Sequence, residues 1–247
     1  MNSSSLVDQF RNYFDIAAAD TQELQELAFR IRYDVYCREF GYEKEEDCPG
    51  GLEHDDYDAS SVHSIIVHRP TSQPAGCVRL VLPPPDEDDF VLPLERFCGE
   101  SLNDPALHPS RIARGNLGEV SRLAVHTQFR RRKGEAISPI GEPIEYRDLT
   151  EDERRAFPLL GLALFCAGTS MMASARREHA FVMMERRLVR KLQPLGFPFV
   201  QVGEAMEYHG SRAAYYANLQ QVLDSMRPDV RSLYEYVHQG LCTEISP

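Results

Sequence analysis

Apolar residues recur along this chain with two periods. Leu24, Leu27, Ala28, Ile31 and Val35 fall on one helical face, which predicts an amphipathic helix ending near Gly41. Asp20 with Glu23 reads as its capping box. Leu6, Val7, Phe10 and Phe14 share the helical spacing, so residues 1–18 are expected to form a short amphipathic segment. Val62 to His68 and Gly76 to Leu82 read as strands, joined by a proline-containing turn into an antiparallel hairpin. Pro83-Pro84-Pro85 stops the second strand. Residues 86–116 read as irregular, with Leu94 and Phe97 as anchors into the core. A further strand spans 118–125. From Pro158 toward Arg177, Leu159, Leu162, Ala163, Phe165 and Cys166 are apolar around most of a helix, which predicts a buried central helix. Ala180 to Met184 reads as a buried strand, Glu185 to Leu195 as a helix closed by Gly196, and Phe199 to Val202 as a strand. Ala213 to Leu219 fits either a strand or a helix, and 229–241 is helical. A meander followed by alternating strands and helices predicts an α/β fold, a mixed central sheet with helices on both faces. The expected organisation is a single domain over 1–247, with a flexible insertion at 134–156 marked by Pro139, Gly141 and Pro143.

The strand at 118–125 departs from its pattern. Val120, Leu123, Ala124 and Val125 ask for burial, yet Glu119 and Arg122 are charged. Burying either charge alone costs several kcal/mol. Residues three apart point to opposite faces of a regular strand, so the two can serve one site only if the strand is bulged or splayed there. Otherwise they are strand-end charges reaching solvent.

Composition narrows the function. The 247 residues carry 27 basic and 38 acidic side chains, a net charge of −11, with 43% hydrophobic content. The core is substantial, and the charge argues against nonspecific nucleic-acid binding and against docking on an anionic membrane. Cys37, Cys48, Cys77, Cys98, Cys166 and Cys242 show no paired metal-ligand spacing, so no metal site is expected. The polar N-terminus and the lack of a long apolar run predict no signal peptide and no membrane span. A cytoplasmic location with reduced cysteines follows. The acidic stretch 43–61 reads as a solvated loop, with Tyr57 hinting at more order.

The polar residues then form an ordered set. The Arg30 helix, Glu53-x-Asp55-Asp56-Tyr57-Asp58, Gly76-x-x-Arg79-Leu80 and Glu119-x-Ser121-Arg122 follow one another along the chain. This set resembles the LuxI-type acyl-homoserine lactone synthases and the related N-acyl amino acid synthases, over roughly the first 130 residues. The resemblance implies a GNAT-like acyl-CoA N-acyltransferase fold and a polar constellation of Arg30, Asp55, Asp58, Arg79, Glu119 and Arg122. In the C-terminal half, Met184-Glu185-Arg186-Arg187-Leu188, Gly203 and Glu207-Tyr208-His209-Gly210-Ser211-Arg212 resemble the PEP-CTERM/exosortase system-associated acyltransferases of Gram-negative bacteria. This implies a bacterial enzyme that moves an acyl group from acyl-ACP or acyl-CoA, with no tightly bound cofactor. Its partners would be an acyl carrier protein or a CoA thioester, and a small amine or amino-acid acceptor.

On this reading Glu119 is the base, directly or through a water, because the attacking amine must be neutral. Arg122 holds the charge balance of the site. Arg79 and Arg30 pair with Asp55 and Asp58, making the acidic loop a wall of the acceptor pocket. Arg130-Arg131-Arg132-Lys133-Gly134 is a basic patch in an acidic chain. Its Arg131-x-x-Gly134-x-Ala136 matches the loop with which GNAT enzymes grip pyrophosphate, and the patch is either a phosphate or carrier contact or a solvated loop. Phe165, Phe181, Met183 and Met184 are core residues that could also line an acyl cleft. His209 is either a structural hydrogen-bonder or a member of the substrate site. The alternatives to an N-acyltransferase are an acyl-homoserine lactone synthase and a non-catalytic acyl-binding regulator on the same fold. An open V between two central parallel strands is the structural feature expected to tell most.

Overall fold

A computed structural model describes residues 5–84, 87–130 and 158–242. Among them the strands are β1 (Phe14–Ala18), β2 (Ser61–His68), β3 (Gln73–Val81), β4 (Leu117–Val125), β5 (His179–Met184), β6 (Val200–Gln201), β7 (Met206–Glu207) and β8 (Ser211–Asn218). The helices are α1 (Leu6–Arg11), α2 (Gln22–Arg32), α3 (Pro93–Cys98), α4 (Leu159–Ser174), α5 (Arg186–Leu192), α6 (Leu219–Ser225) and α7 (Pro228–Cys242). The sheet runs β1-β2-β3-β4-β5-β8-β6, with β7 pairing on β8. Its neighbours are antiparallel except β4 and β5, which are parallel.

Several local expectations are corrected. Phe14 opens β1 instead of continuing α1, because Phe14 and Ile16 point inward while Asp15 stays exposed. The cap of α2 is Thr21, whose hydroxyl accepts from the Leu24 N–H, and not Asp20. Residues 213–219 are mostly strand, since Ala213 to Ala217 pair with β5 throughout. Phe97 is 51% exposed and anchors nothing, whereas Leu94 is buried. The helix from residue 22 continues past Arg32 as a π-helical stretch, Tyr33–Glu39. The insertion at 134–156 lies outside the described residues.

The two faces of the sheet differ. One is apolar: Ile66, Val78, Leu80 and Val125 pack against Leu160, Ala163 and Leu164 of α4, with Val230, Leu233 and Val237 of α7 completing the layer. Gly118 belongs to this contact. A Cβ there would lie 2.9 Å from Leu80 Cδ1 and 3.1 Å from Met172 Sδ, so a larger residue would have to push these side chains aside. The other face has two apolar ends. Ile65, Cys77 and Ala124 pack under α2 at one end, and Val81, Leu117 and Phe181 pack under Leu92 and Leu94 at the other. Strand alternation puts Arg79, Glu119 and Ser121 on this second face, with Arg79 opposite Ser121 and Val81 opposite Glu119.

Candidate functional site

The central strand is bulged, as its charge pattern requires. Cys77 pairs with Ala124 and Arg79 with Ser121, so Arg122 and Leu123 together oppose Val78. Arg122 adopts φ +49°, a left-handed conformation that costs a non-glycine residue energy. The strain is held from below. Tyr36, buried in the π-helical stretch, donates its hydroxyl to the Leu123 carbonyl at 3.0 Å, and the Arg122 guanidinium lies over the Tyr36 ring. The bulge turns Arg122 onto the face that carries Glu119.

Arg122 then enters an ion network. It contacts Glu53 at 3.1 Å, Asp55 at 3.2 Å and Glu43 at 3.3 Å. Arg79 reaches Asp55 at 2.6 Å and Asp58 at 2.9 Å, and its Nε donates to Ser121 Oγ. Arg32 grips both Asp58 oxygens, at 2.7 and 3.0 Å, and donates to Glu53. The loop is folded to present these acids. Asp55 caps the 3-10 turn Asp56–Ser60, and Asp58 reaches back to accept from the Asp55 N–H at 2.7 Å. Burial alone would raise the pKa of Glu53, but Arg122 and Arg32 outweigh it and hold the carboxyl at about 2. Asp58 is likewise held below its ordinary value, Arg32 and Arg79 overcoming burial. Burial lowers His63, beside Asp58, to about 4.

Glu119 is treated differently. It is 3% exposed, its Oε2 accepts from the Leu94 N–H at 2.8 Å, and no ion pair reaches it among the described residues. Burial raises its pKa to about 8, against the pull of that hydrogen bond and of Arg79 and Arg122.

Glu119 also marks where the sheet opens. β4 and β5 pair only through Leu117–His179, Gly118–Ala180 and Glu119–Phe181, and then diverge. Clefts adjoin this V. A polar chamber of about 540 Å³ holds Glu119, Ser121 and Arg122 with Tyr208, His209 and Arg212. A gap of about 480 Å³ between the strands is lined by Val120, Leu123, Val182, Met183 and Phe165, and again by Arg212. Beyond it lies an apolar slot of about 460 Å³ against α4, with Phe165, Gly168, Met172 and Phe199. Outward from the chamber is an acidic mouth of about 880 Å³, with Glu43, Asp47, Glu53, Asp55 and Asp56 against Arg96 and Arg122. Shared residues join the spaces: Arg122 and His209 the mouth to the chamber, Ser121 and Met183 the chamber to the gap, Val120 and Phe165 the gap to the slot.

The structure therefore gathers Glu119, Arg122, Arg79, Asp55 and Asp58. It does not gather Arg30, which is exposed and pairs with none of these acids. Arg32 takes that position. Two residues along an α-helix is about 200° of rotation, so Arg30 and Arg32 face nearly opposite ways. Arg32 lies on the buried stripe with Ala28, Ile31 and Val35, and that placement was the available signal. Glu53, Tyr36 and Arg212 are further members that sequence reasoning missed. Of the apolar candidates, Phe165 and Met183 line the clefts, while Phe181 is fully buried in the core against Tyr216. His209 lines chamber and mouth, packed between Tyr42 and Tyr208, with its pKa lowered to about 4 by burial. Arg130 is no surface cation: it is buried, paired with Glu39 and Thr127, and lies over the Phe40 ring. Its charge is consumed internally. Arg131, Arg132 and Gly134 lie outside the described residues.

Comparison with known proteins agrees with this geometry. Residues 31–138 match the family described as the acetyltransferase (GNAT) domain. The matched segment is somewhat less than half of the chain, and it is similar to a GNAT acetyltransferase domain. Among solved structures, the acyl-homoserine lactone synthase LasI superposes with a TM-score of 0.55 at 15% identity, covering 87% of this chain and 95% of LasI. The CoA-dependent acyl-homoserine lactone synthase BjaI, solved with SAM and isopentyl-CoA, gives 0.55 at 17%, covering 93% and 90%. FeeM, an N-acyl amino acid synthase from uncultured soil microbes, gives 0.53 at 14%, covering 86% and 94%. At these identities the likeness is one of fold. No curated protein matches the sequence.

Proposed function

We propose that this chain is an N-acyltransferase that moves a fatty acyl group from an acyl-ACP or acyl-CoA thioester to an amine or amino-acid acceptor. The observation that carries the reading is Glu119: a buried carboxyl with no ion-pair partner among the described residues, at the point where β4 and β5 part. A group whose pKa lies near the working pH is suited to accept a proton and give it up again. Its ionised form is costly in the buried chamber, so it takes a proton readily from an incoming ammonium. The resulting neutral amine attacks the thioester carbon, a C–N bond forms, the C–S bond breaks, and the thiolate leaves and takes up a proton. The surroundings support this division of space. The acidic mouth attracts a cation. The apolar slot beyond the gap suits an acyl tail. Arg32, Arg79 and Arg122 bind no substrate in this scheme; they fix the acidic wall.

The acceptor class is open to one competitor. BjaI was solved with SAM, whose sulfonium is also a cation, so an acidic mouth accommodates a lactone synthase reading. The C-terminal half departs from the lactone-synthase pattern and resembles the PEP-CTERM/exosortase-associated acyltransferases of bacteria, which counts against the lactone reading. Incubation with acyl-CoA or acyl-ACP and a pool of amines, amino acids and SAM, read by mass spectrometry, decides. Free thiol with an acyl-amide supports the transferase, a lactone product replaces it with the synthase, and an intact thioester leaves a binding protein.

A further inference from the structure

Arg212, on β8, stands apart from the other arginines of the chamber. Arg79 and Arg122 are committed to Asp55, Asp58, Glu53 and Glu43. Arg212 has no carboxylate partner among the described residues, and its Nε is buried without a hydrogen bond. Its guanidinium lies over the Tyr42 ring at 5.7 Å, and its side chain lines both the chamber and the strand gap. A half-buried guanidinium with no carboxylate partner among the described residues is suited to a ligand that supplies the anion.

We infer that Arg212 receives the carboxylate of the acceptor, which makes the acceptor an α-amino acid rather than a simple amine. This rests on the chamber being the site of transfer. In an α-amino acid a single carbon separates the ammonium from the carboxylate, so both groups must be met within one small space. The chamber offers that, with Glu119 on β4 for the ammonium and Arg212 on β8, across β5, for the carboxylate. A lone guanidinium matches a carboxylate, which it can hold through two parallel hydrogen bonds. A CoA diphosphate would need more uncommitted positive charge than this chamber contains. The acidic mouth draws the ammonium end inward, and its Glu43, which also lines the chamber, is paired with Arg122.

The test compares an amino acid with its amide, which keeps the amine and removes the carboxylate charge. Calorimetric titration without thioester measures binding apart from turnover. The wild type should bind the acid about 10–100-fold more tightly than the amide, as expected for a charged hydrogen-bonded contact. Arg212→Gln should erase that preference and raise KM for the acid by a similar factor. Arg212→Lys should recover part of it. Equal binding of acid and amide by the wild type overturns the inference without reference to any variant. So does a fall in kcat for both acceptors in Arg212→Gln, which would place the guanidinium on the tetrahedral oxyanion. Failure of transfer to every acceptor overturns the transferase reading instead, and the binding preference still decides Arg212.

Discussion

Two kinds of buried acid share one face of this sheet. Glu53 and Asp58 are gripped by Arg32, Arg79 and Arg122, and their protons are driven off far below neutrality. Glu119, two residues from Ser121 on the same strand face, is gripped by no guanidinium among the described residues and holds its proton to about 8. Burial penalises the ionised form of all three. What separates them is whether an arginine comes within hydrogen-bonding reach. Acids in the first group are fixed in one state and can serve as framework. The second group can change state, which chemistry requires. Richness in charge is thus a poor guide to which residue reacts; the least compensated one is the better guess.

Breaking the exception should have the largest effect. Glu119→Gln keeps the shape and removes the base, so acyl transfer should fall by about 10²–10⁴-fold in a thioester-cleavage assay, with the fold intact by circular dichroism. An enzyme with full activity would remove Glu119 from the chemistry. Breaking the framework should appear as lost stability. Arg32→Met leaves Glu53 and Asp58 buried without one of their partners, a loss of about 3–5 kcal/mol in a denaturant titration. Unchanged stability would show the network to be loosely solvated.

A pH series on the melting temperature sharpens the comparison, because the two groups respond with opposite sign. The folded pKa of Glu119 lies above its ordinary 4.5, at about 8. Between these values the folded chain keeps a proton that the unfolded chain has lost. This stabilising contribution is complete below 4.5 and disappears as pH rises through 8. Glu53 runs from 4.5 down to about 2, so its contribution is complete above 4.5 and disappears as pH falls toward 2. The melting temperature should therefore decline on both sides, and Glu119→Gln should abolish most of the alkaline decline alone. In the same variant series, kcat/KM of the wild type should rise with pH as Glu119 ionises. The smallest effect belongs to Tyr36→Phe. Losing the hydroxyl bond to Leu123 should cost about 1 kcal/mol of stability and loosen the bulge that aims Arg122, lowering activity modestly. Activity at the wild-type level would mean that the bulge holds itself.

The strands were legible in sequence because β2, β3 and β4 are long runs with apolar faces, and the bulge was legible because Glu119 and Arg122 cannot share a site on a regular strand. Other features left weaker traces. Phe10 and Phe14 sit four apart on both sides of a helix-to-strand change, and spacing alone does not register the break at Tyr13. Glu53 looks like any acid of a charged loop. Only Arg32 and Arg122, from distant parts of the chain, turn it into a buried bridge. The motif resemblance points to Arg30, whereas the helical stripe points to Arg32, the residue that is buried. Phe97 is a large apolar residue at the surface, stacked on Tyr208 beside the mouth, where burial is not its role.

The π-helical stretch Tyr33–Glu39 carries a further consequence for how this chain tolerates change. Substitutions there act one side chain at a time. Deleting a residue is another matter: it would wind the stretch back toward regular α-helix and shift Tyr36 relative to the Leu123 carbonyl it holds. Homologues should therefore conserve the length of this turn and its buried Val35, Tyr36 and Cys37, and vary at exposed Arg38.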